Sequence, residues 1–520
     1  METASESGAS FKNDAGDSTS GDVPASKPWF LGLDIGTVGL SAVLLNRETR
    51  KMVPLFWQQS GAAQRWFRWP LDIAIDPDRP QAEETVPVPS AEAAILCQLK
   101  PALALPLRRG LAGTQDHSPL LEPVYRPLTH ILDTLKLSPL ELGQSEESEA
   151  LESGALESGA LSWGCSGLGL DTAQFRAAID GLFGVGVSYP SGWSSQYQTN
   201  IQNAILGTGL VSDLSAIHFV EETTAAALAC LQPTGGPAIG PLDRSTGSLM
   251  HKITPEGLAF VVSAGASTTE LALVDLSAIA QDYRAAAQSR TFAYGGRALD
   301  QDILYYILYP QLQASPLAEV ERLLDALGLD TLDKPQLGQP DSARRRRLHL
   351  RLCGSAPGRQ MLAIAQVVKH ELQTKPRVTY TLAQHRGQVT QSELGHQILL
   401  PYVQALNQQA QALVRASGGG SPAVQQVICS GGTASMRVVA HWARRCFPEA
   451  ALRLSTSVAA IRAETGLETA AKTSEGENLS PASFEPEVPP ESPLWLGSQV
   501  SYGLASLPLH SGVAPNSELR

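Results

Sequence analysis

With 520 residues, 43% of them hydrophobic, the chain can build about three or four folding units, grouped into two lobes. A net charge of -12 excludes a general binder of nucleic acid or anionic membranes. The six cysteines include no Cys-x-x-Cys pair, no apolar run is long enough to cross a bilayer, and no basic-then-apolar leader opens the chain. A cytoplasmic protein with reduced thiols is expected, without a disulfide frame or zinc site.

Residues 1–27, rich in Ser, Gly, Asp and Ala, read as a disordered tail. A buried strand then ends on Asp34, turns through Gly36-Thr37-Val38-Gly39, and returns as a second apolar strand. An acid beside a Gly/Thr hairpin suits a magnesium–phosphate group: backbone N–H groups cradle the phosphate while the acid holds the metal or its water. The same residues also suit an ordinary hairpin with an acid at its corner.

Trp57, Trp66, Phe67 and Trp69 alternate with Arg65 and Arg68 and read as a local aromatic cluster rather than a partner site. Residues 127–142 carry helical apolar spacing, and the repeated Leu-Glu-Ser-Gly-Ala within 143–162 marks a low-complexity insertion. Residues 175–182 read as a short helix, 185–190 as a buried strand, and Ser194 or Ser195 as the cap of a helix carrying Tyr197, Ile201, Ala204 and Ile205. A strand over 217–220 leads into Glu221-Glu222-Thr223-Thr224 and an Ala-rich helix; acids and threonines at a helix start suit its dipole. His218 reads as structural.

A second hairpin over 258–276 repeats the first, with Gly265-Ala266-Ser267-Thr268-Thr269 at its turn and Glu270 opening the return strand. Two such hairpins facing each other would grip a triphosphate from both sides. Tyr294-Gly295-Gly296 leads into a helix through Ile307, and Arg344–Arg347 reads as a solvated helix face rather than a site for an acidic partner. Residues 364–372 and 395–416 read as helices, with an edge-type strand over 378–382 between them. A strand over 427–430 runs into Gly431-Gly432-Thr433, a turn that lets backbone approach a flat ligand, and a helix follows over 436–446. Residues 466–492 read as a loose loop, and 495–509 as a closing small-residue helix.

In this order, the pieces resemble the ATPase domain of the heat shock protein 70 family, within the actin-like superfamily. The likeness spans about residues 30 to 510 and rests on Asp34-Ile35-Gly36-Thr37, Glu222-Thr223-Thr224-Ala225-Ala226-Ala227, Gly265 with Thr268 and Glu270, Gly295-Gly296 with Leu299-Asp300, Lys369-His370-Glu371, Gly431-Gly432 and Tyr502-Gly503. The resemblance implies a two-lobed α/β fold of duplicated ribonuclease-H-like units, with ATP and magnesium in the cleft. Residues 28–214 would form the first lobe and 215–425 the second; 426–510 would return to the first, leaving a tail over 511–520. Asp34, Glu222 and Thr268 would be catalytic, with Asp34 and Glu270 at the metal. Gly36, Thr37, Val38, Gly265, Ala266, Ser267, Thr268, Gly296, Lys369, Gly431, Gly432 and Thr433 would contact the nucleotide. Lys100 is the nearest candidate for the family's catalytic lysine.

The departures bear on activity. Ser263 stands where the family has an acid near the metal, Ala266 and Ser267 replace glycines, and Ser435 stands in place of an arginine that stacks on the base. Gly497 and Gln366 also replace acids. No peptide-binding domain is expected after the ATPase segment, so a co-chaperone or separate client-binding protein would be its partner. The expected activity is slow or absent ATP hydrolysis. The alternatives are a regulatory or scaffold protein and a small-molecule kinase of the same superfamily.

Overall fold

Both glycine hairpins lie between continuous apolar runs, as in strands covered on both faces. The computed structural model describes residues 27–59, 65–70, 99–107, 121–137, 163–231, 238–239, 256–332, 334–417, 423–454 and 498–510. The expected terminal tails (apart from Lys27), the low-complexity insertion, the 466–492 loop and Gly497 lie outside the described residues.

The first sheet opens with β1 (Trp29–Ile35), β2 (Gly39–Asn46) and β3 (Lys51–Gln59), an antiparallel meander. The two-residue β4 (Trp69–Pro70) pairs with the start of β2, and β5 (Trp163–Gly167) pairs with β3. On the other side of β1, β6 (Leu182–Tyr189) and β7 (Ile217–Glu221) run parallel, so this sheet extends to Glu221. The second sheet contains β8 (Ala238–Ile239), β9 (Leu258–Ala264), β10 (Thr269–Asp275) and β11 (Gln288–Phe292). A separate hairpin, β12 (Arg377–Leu382) with β13 (His385–Thr390), precedes β14 (Val424–Ser430) and β15 (Ala451–Leu454), which rejoin the second sheet.

The two sheets share one plan. In the first, β3-β2-β1-β6-β7 consists of an antiparallel hairpin and its antiparallel neighbour, then two parallel strands. In the second, β11-β10-β9-β14-β15 repeats that order and those directions. The protein is therefore a mixed α/β fold with two mixed sheets.

Helices α1 (Leu99–Leu103), α2 (Leu121–Asp133), α3 (Thr172–Asp180) and α4 (Ser195–Thr208) accompany the first sheet. The α2 helix begins six residues before Pro127, and its apolar face, through Val124, Leu128, Ile131 and Leu132, is buried. Asp171 caps α3 with a box to Gln174, which starts this helix earlier than its apolar spacing predicts; Leu182 already belongs to β6. The aromatic cluster is part of the first core: Trp69 lies edge-on to Trp57 and Trp163, and the Trp57 indole donates to Thr134 at 2.9 Å.

Helix α5 (Glu222–Leu231) follows β7 directly. Helices α6 (Gly296–Ile303), α7 (Ser342–Cys353), α8 (Ala356–Glu371), α9 (Leu400–Ala416) and α10 (Arg437–Cys446) contribute to the core of the second sheet. The basic run differs from a solvated face at one residue. Arg345 is buried and grips Asp302 through both terminal nitrogens, at 2.9 and 3.2 Å, with its guanidinium over the Tyr294 ring. Arg346 and Arg347 remain exposed, because they lie off the core-facing stripe that carries Arg345, Leu348 and Leu352 at helical spacing.

The sheets are joined at their centre by α5 and the closing helix α11 (Gln499–Ala505). The α11 helix packs on β1 and on α5, and α5 packs on β9 and β10. Small residues set that spacing. A Cβ on Gly503 would lie 1.7 Å from the carbonyl oxygen of Ala225, and one on Gly32 would lie 2.3 Å from the Ala505 nitrogen. Phe30, Ala225, Ala226, Val261, Ile428, Val500 and Leu504 fill the shared core.

Candidate functional site

Asp34 is the penultimate residue of the buried β1 strand, and its carboxylate accepts two hydroxyl donors: Ser188 from β6 at 2.7 Å and Ser498 before α11 at 2.6 Å. These bonds fix the carboxylate at the mouth of the first turn. Gly36 N–H closes that turn on the Gly39 carbonyl at 2.9 Å. The N–H groups of Thr37 and Val38 make no backbone hydrogen bond among the described residues, and Val38 is exposed.

The second turn follows the same design. Gly265 N–H bonds to the Thr268 carbonyl at 3.0 Å, while the N–H groups of Ala266 and Ser267 find no backbone acceptor among the described residues. Its outer side is fastened by two segments. Gly296 N–H donates to the Gly265 carbonyl at 2.9 Å and Arg297 N–H to the Ala266 carbonyl at 2.8 Å. Thr433 adds its hydroxyl to the Gly265 carbonyl at 2.8 Å and its N–H to the Ala264 carbonyl at 3.0 Å. Gly431 adopts φ of 90°, and a Cβ there would meet the Ala264 carbonyl oxygen at 2.5 Å, so the Gly431–Thr433 turn presses directly on the hairpin. By contrast, a Cβ on Gly265 or Gly432 would meet no atom within 4 Å.

Lys369 is buried on α8, where its ammonium lies 2.7 Å from Asp300 and donates to the Gly296 carbonyl at 3.2 Å. Burial pushes the Asp300 carboxyl up, against the pull of Lys369. Lys369 therefore braces the Gly296 segment from behind.

Glu222 opens α5 and forms a buried ion pair with Lys100. Burial works against the Lys100 ammonium, but the carboxylates of Glu222 and Asp34 outweigh it and hold the lysine above its ordinary range. Ser263 reaches toward the other Glu222 oxygen at 3.5 Å. Across the β9–β10 ladder from Ser263, Glu270 is fully buried and turned to the sheet junction. It accepts from Ser191 N–H at 3.0 Å and from the Thr223 hydroxyl at 2.9 Å. Burial, followed by repulsion from Glu222, pushes its carboxyl up to about 8.

The fold thus links Gly265, Ala266, Gly296, Lys369, Gly431 and Thr433 by direct contacts, and places Lys100, Glu222 and Ser263 in a second connected group. Asp34 and Glu270 are held by separate hydroxyl and amide partners, and no cluster of three metal-ligating side chains occurs among the described residues. Ser188, Ser191 and Ser498 are supporting groups that carry no local signal in the sequence, and Thr223, legible only as a helix-start residue, adds its hydroxyl to Glu270. No helix among the described residues is long and apolar enough to cross a membrane. No protein-family model matches the chain, and no curated protein matches it.

Proposed function

We propose that the protein binds ATP with magnesium between its two glycine turns, as a heat shock protein 70-like nucleotide domain of the actin-like type. The observation that carries this reading is the repeated sheet plan, with a glycine hairpin turn between β1 and β2 in the first sheet and between β9 and β10 in the second. Turn N–H groups without a backbone acceptor among the described residues suit phosphate oxygens, and the open space beside Gly265 and Gly432 suits a ligand laid against backbone. The residues also fit magnesium: the ion keeps several waters and needs one or two carboxylates plus phosphate oxygens, and Asp34 supplies a positioned carboxylate. Magnesium would neutralise phosphate charge, while Asp34 orients its waters and Glu222 keeps Lys100 in place.

Hydrolysis is slow or absent in this reading. Ser263 supplies no negative charge, and losing one preorganised group costs about two to three orders of magnitude in rate. A non-hydrolysing regulator is the second reading, favoured by the engagement of Lys100 and Lys369 with carboxylates. In the first reading, excess ATP with magnesium raises the melting temperature, because a ligand of the native state stabilises it. Asp34→Asn reduces the magnesium dependence of that rise, and Gly432→Val abolishes it by filling the open space. An unchanged melting temperature of the parent counts against nucleotide binding.

A further inference from the structure

The first turn carries a cation besides the groups already assigned to the nucleotide. Strand β4 pairs Trp69 with Leu40 and Pro70 with Gly39, which lays the preceding residue, Arg68, over the start of β2. The fit is close: a Cβ on Gly39 would lie 2.5 Å from Arg68 Cγ and 2.9 Å from its Cδ. Gly39 thus leaves room for the arginine stem as well as for the turn. The guanidinium end reaches the turn itself, since a Cβ on Gly36 would lie 3.8 Å from Arg68 Nη2. Arg68 Nε is buried and has no hydrogen-bond partner among the described residues.

The neighbouring cations differ. Lys100 faces Glu222, Lys369 faces Asp300, and Arg297 Nη2 donates to the Thr37 carbonyl at 3.5 Å. Arg68 forms no ion pair among the described residues, although a buried polar atom without a partner is costly. A planar guanidinium whose end reaches the first turn matches the geometry of phosphate oxygens.

Resting on the nucleotide reading above, we propose that Arg68 is a phosphate-binding residue of the first turn, selective for the polyphosphate part of the ligand. It contributes a fixed positive charge from the sheet that carries Asp34. The nucleoside end, by the Gly431–Thr433 turn, does not depend on it.

The test compares the parent with Arg68→Gln, which keeps a stem and a polar end but removes the charge, and with Arg68→Lys. Each is titrated with magnesium ATP, sodium tripolyphosphate and adenosine, after its melting temperature has been checked. Removing a charge-assisted hydrogen bond to phosphate lowers affinity by about tenfold to a hundredfold. Arg68→Gln is expected to weaken ATP and tripolyphosphate by that much while keeping the parent's adenosine affinity; Arg68→Lys falls between. If the parent binds ATP and Arg68→Gln binds it equally well, the role of Arg68 is overturned and the nucleotide reading stands. Equal losses for ATP and adenosine also overturn it, because they mark a packing defect. A parent that binds none of the three probes overturns both readings. If Arg68→Gln does not fold, Arg68→Lys decides alone: it must weaken ATP more than adenosine.

Discussion

Replacing Glu270 by glutamine tests the charge balance at the sheet junction. Glu270 is fully buried, and its carboxyl is pushed from 4.5 up to about 8, first by burial and then by Glu222. Between those values the native state holds a proton that the unfolded chain has released. The folded pKa is raised, so stability is complete below pH 4.5 and declines as pH rises toward about 8. At about 1.4 kcal/mol per pH unit, the loss reached by pH 7 is about 3 kcal/mol. Glutamine carries no charge, can accept the Ser191 N–H, and can donate to a rotated Thr223 hydroxyl. Without nucleotide or metal, Glu270→Gln should therefore be more stable than the parent by about 1–3 kcal/mol at pH 7. Its advantage should fade toward pH 4.5. Urea denaturation of both proteins at pH 5, 7 and 8.5 reads this directly. Parallel pH profiles, or a glutamine variant weaker by the same amount at every pH, would show that Glu270 does not hold a proton in the native state at neutral pH.

Further outcomes follow from packing and charge. Gly503→Ala, forced against the Ala225 carbonyl, should lower stability by about 3 kcal/mol in chemical denaturation, and a neutral result would contradict the close α5–α11 packing. Arg345→Met leaves Asp302 buried without its ion partner and should cost about 3–5 kcal/mol; Asp302→Asn in that background should recover part of it. Ser263→Asp should raise ATP turnover by about tenfold or more if the remaining site is competent, and Asp34→Asn should abolish the gain. A folded, ATP-binding Ser263→Asp protein with unchanged turnover supports the non-hydrolysing regulator.

The local skeleton is legible in the sequence because its signals are local. Apolar runs broken by Gly36–Gly39 and Gly265–Thr268 specify two hairpins, and double glycines mark the turns at 295–296 and 431–432. Long-range partners are not legible. Nothing near Ser188 or Ser498 tells that both hydroxyls meet on Asp34, since those hydrogen bonds span 154 and 464 positions in the chain. Arg345 reads as solvated because charge alone cannot reveal that Asp302 sits opposite it in the core. The β12–β13 hairpin is half legible: Arg377–Leu382 alternates clearly, whereas its partner strand carries His385, Arg386, Gly387 and Gln388 and lacks an apolar stripe. Lys100 lies in a poorly patterned stretch, and only the fold shows the acid it meets.

Binding of a magnesium nucleotide by the two turns is read out by calorimetric titration of the unmodified protein with ATP, with and without magnesium. Saturable binding of one ATP per chain is expected, weaker when magnesium is withdrawn, with that magnesium dependence reduced in Asp34→Asn. Absence of binding heat at millimolar ATP in both conditions, from protein confirmed as folded and with no rise in melting temperature, would contradict it.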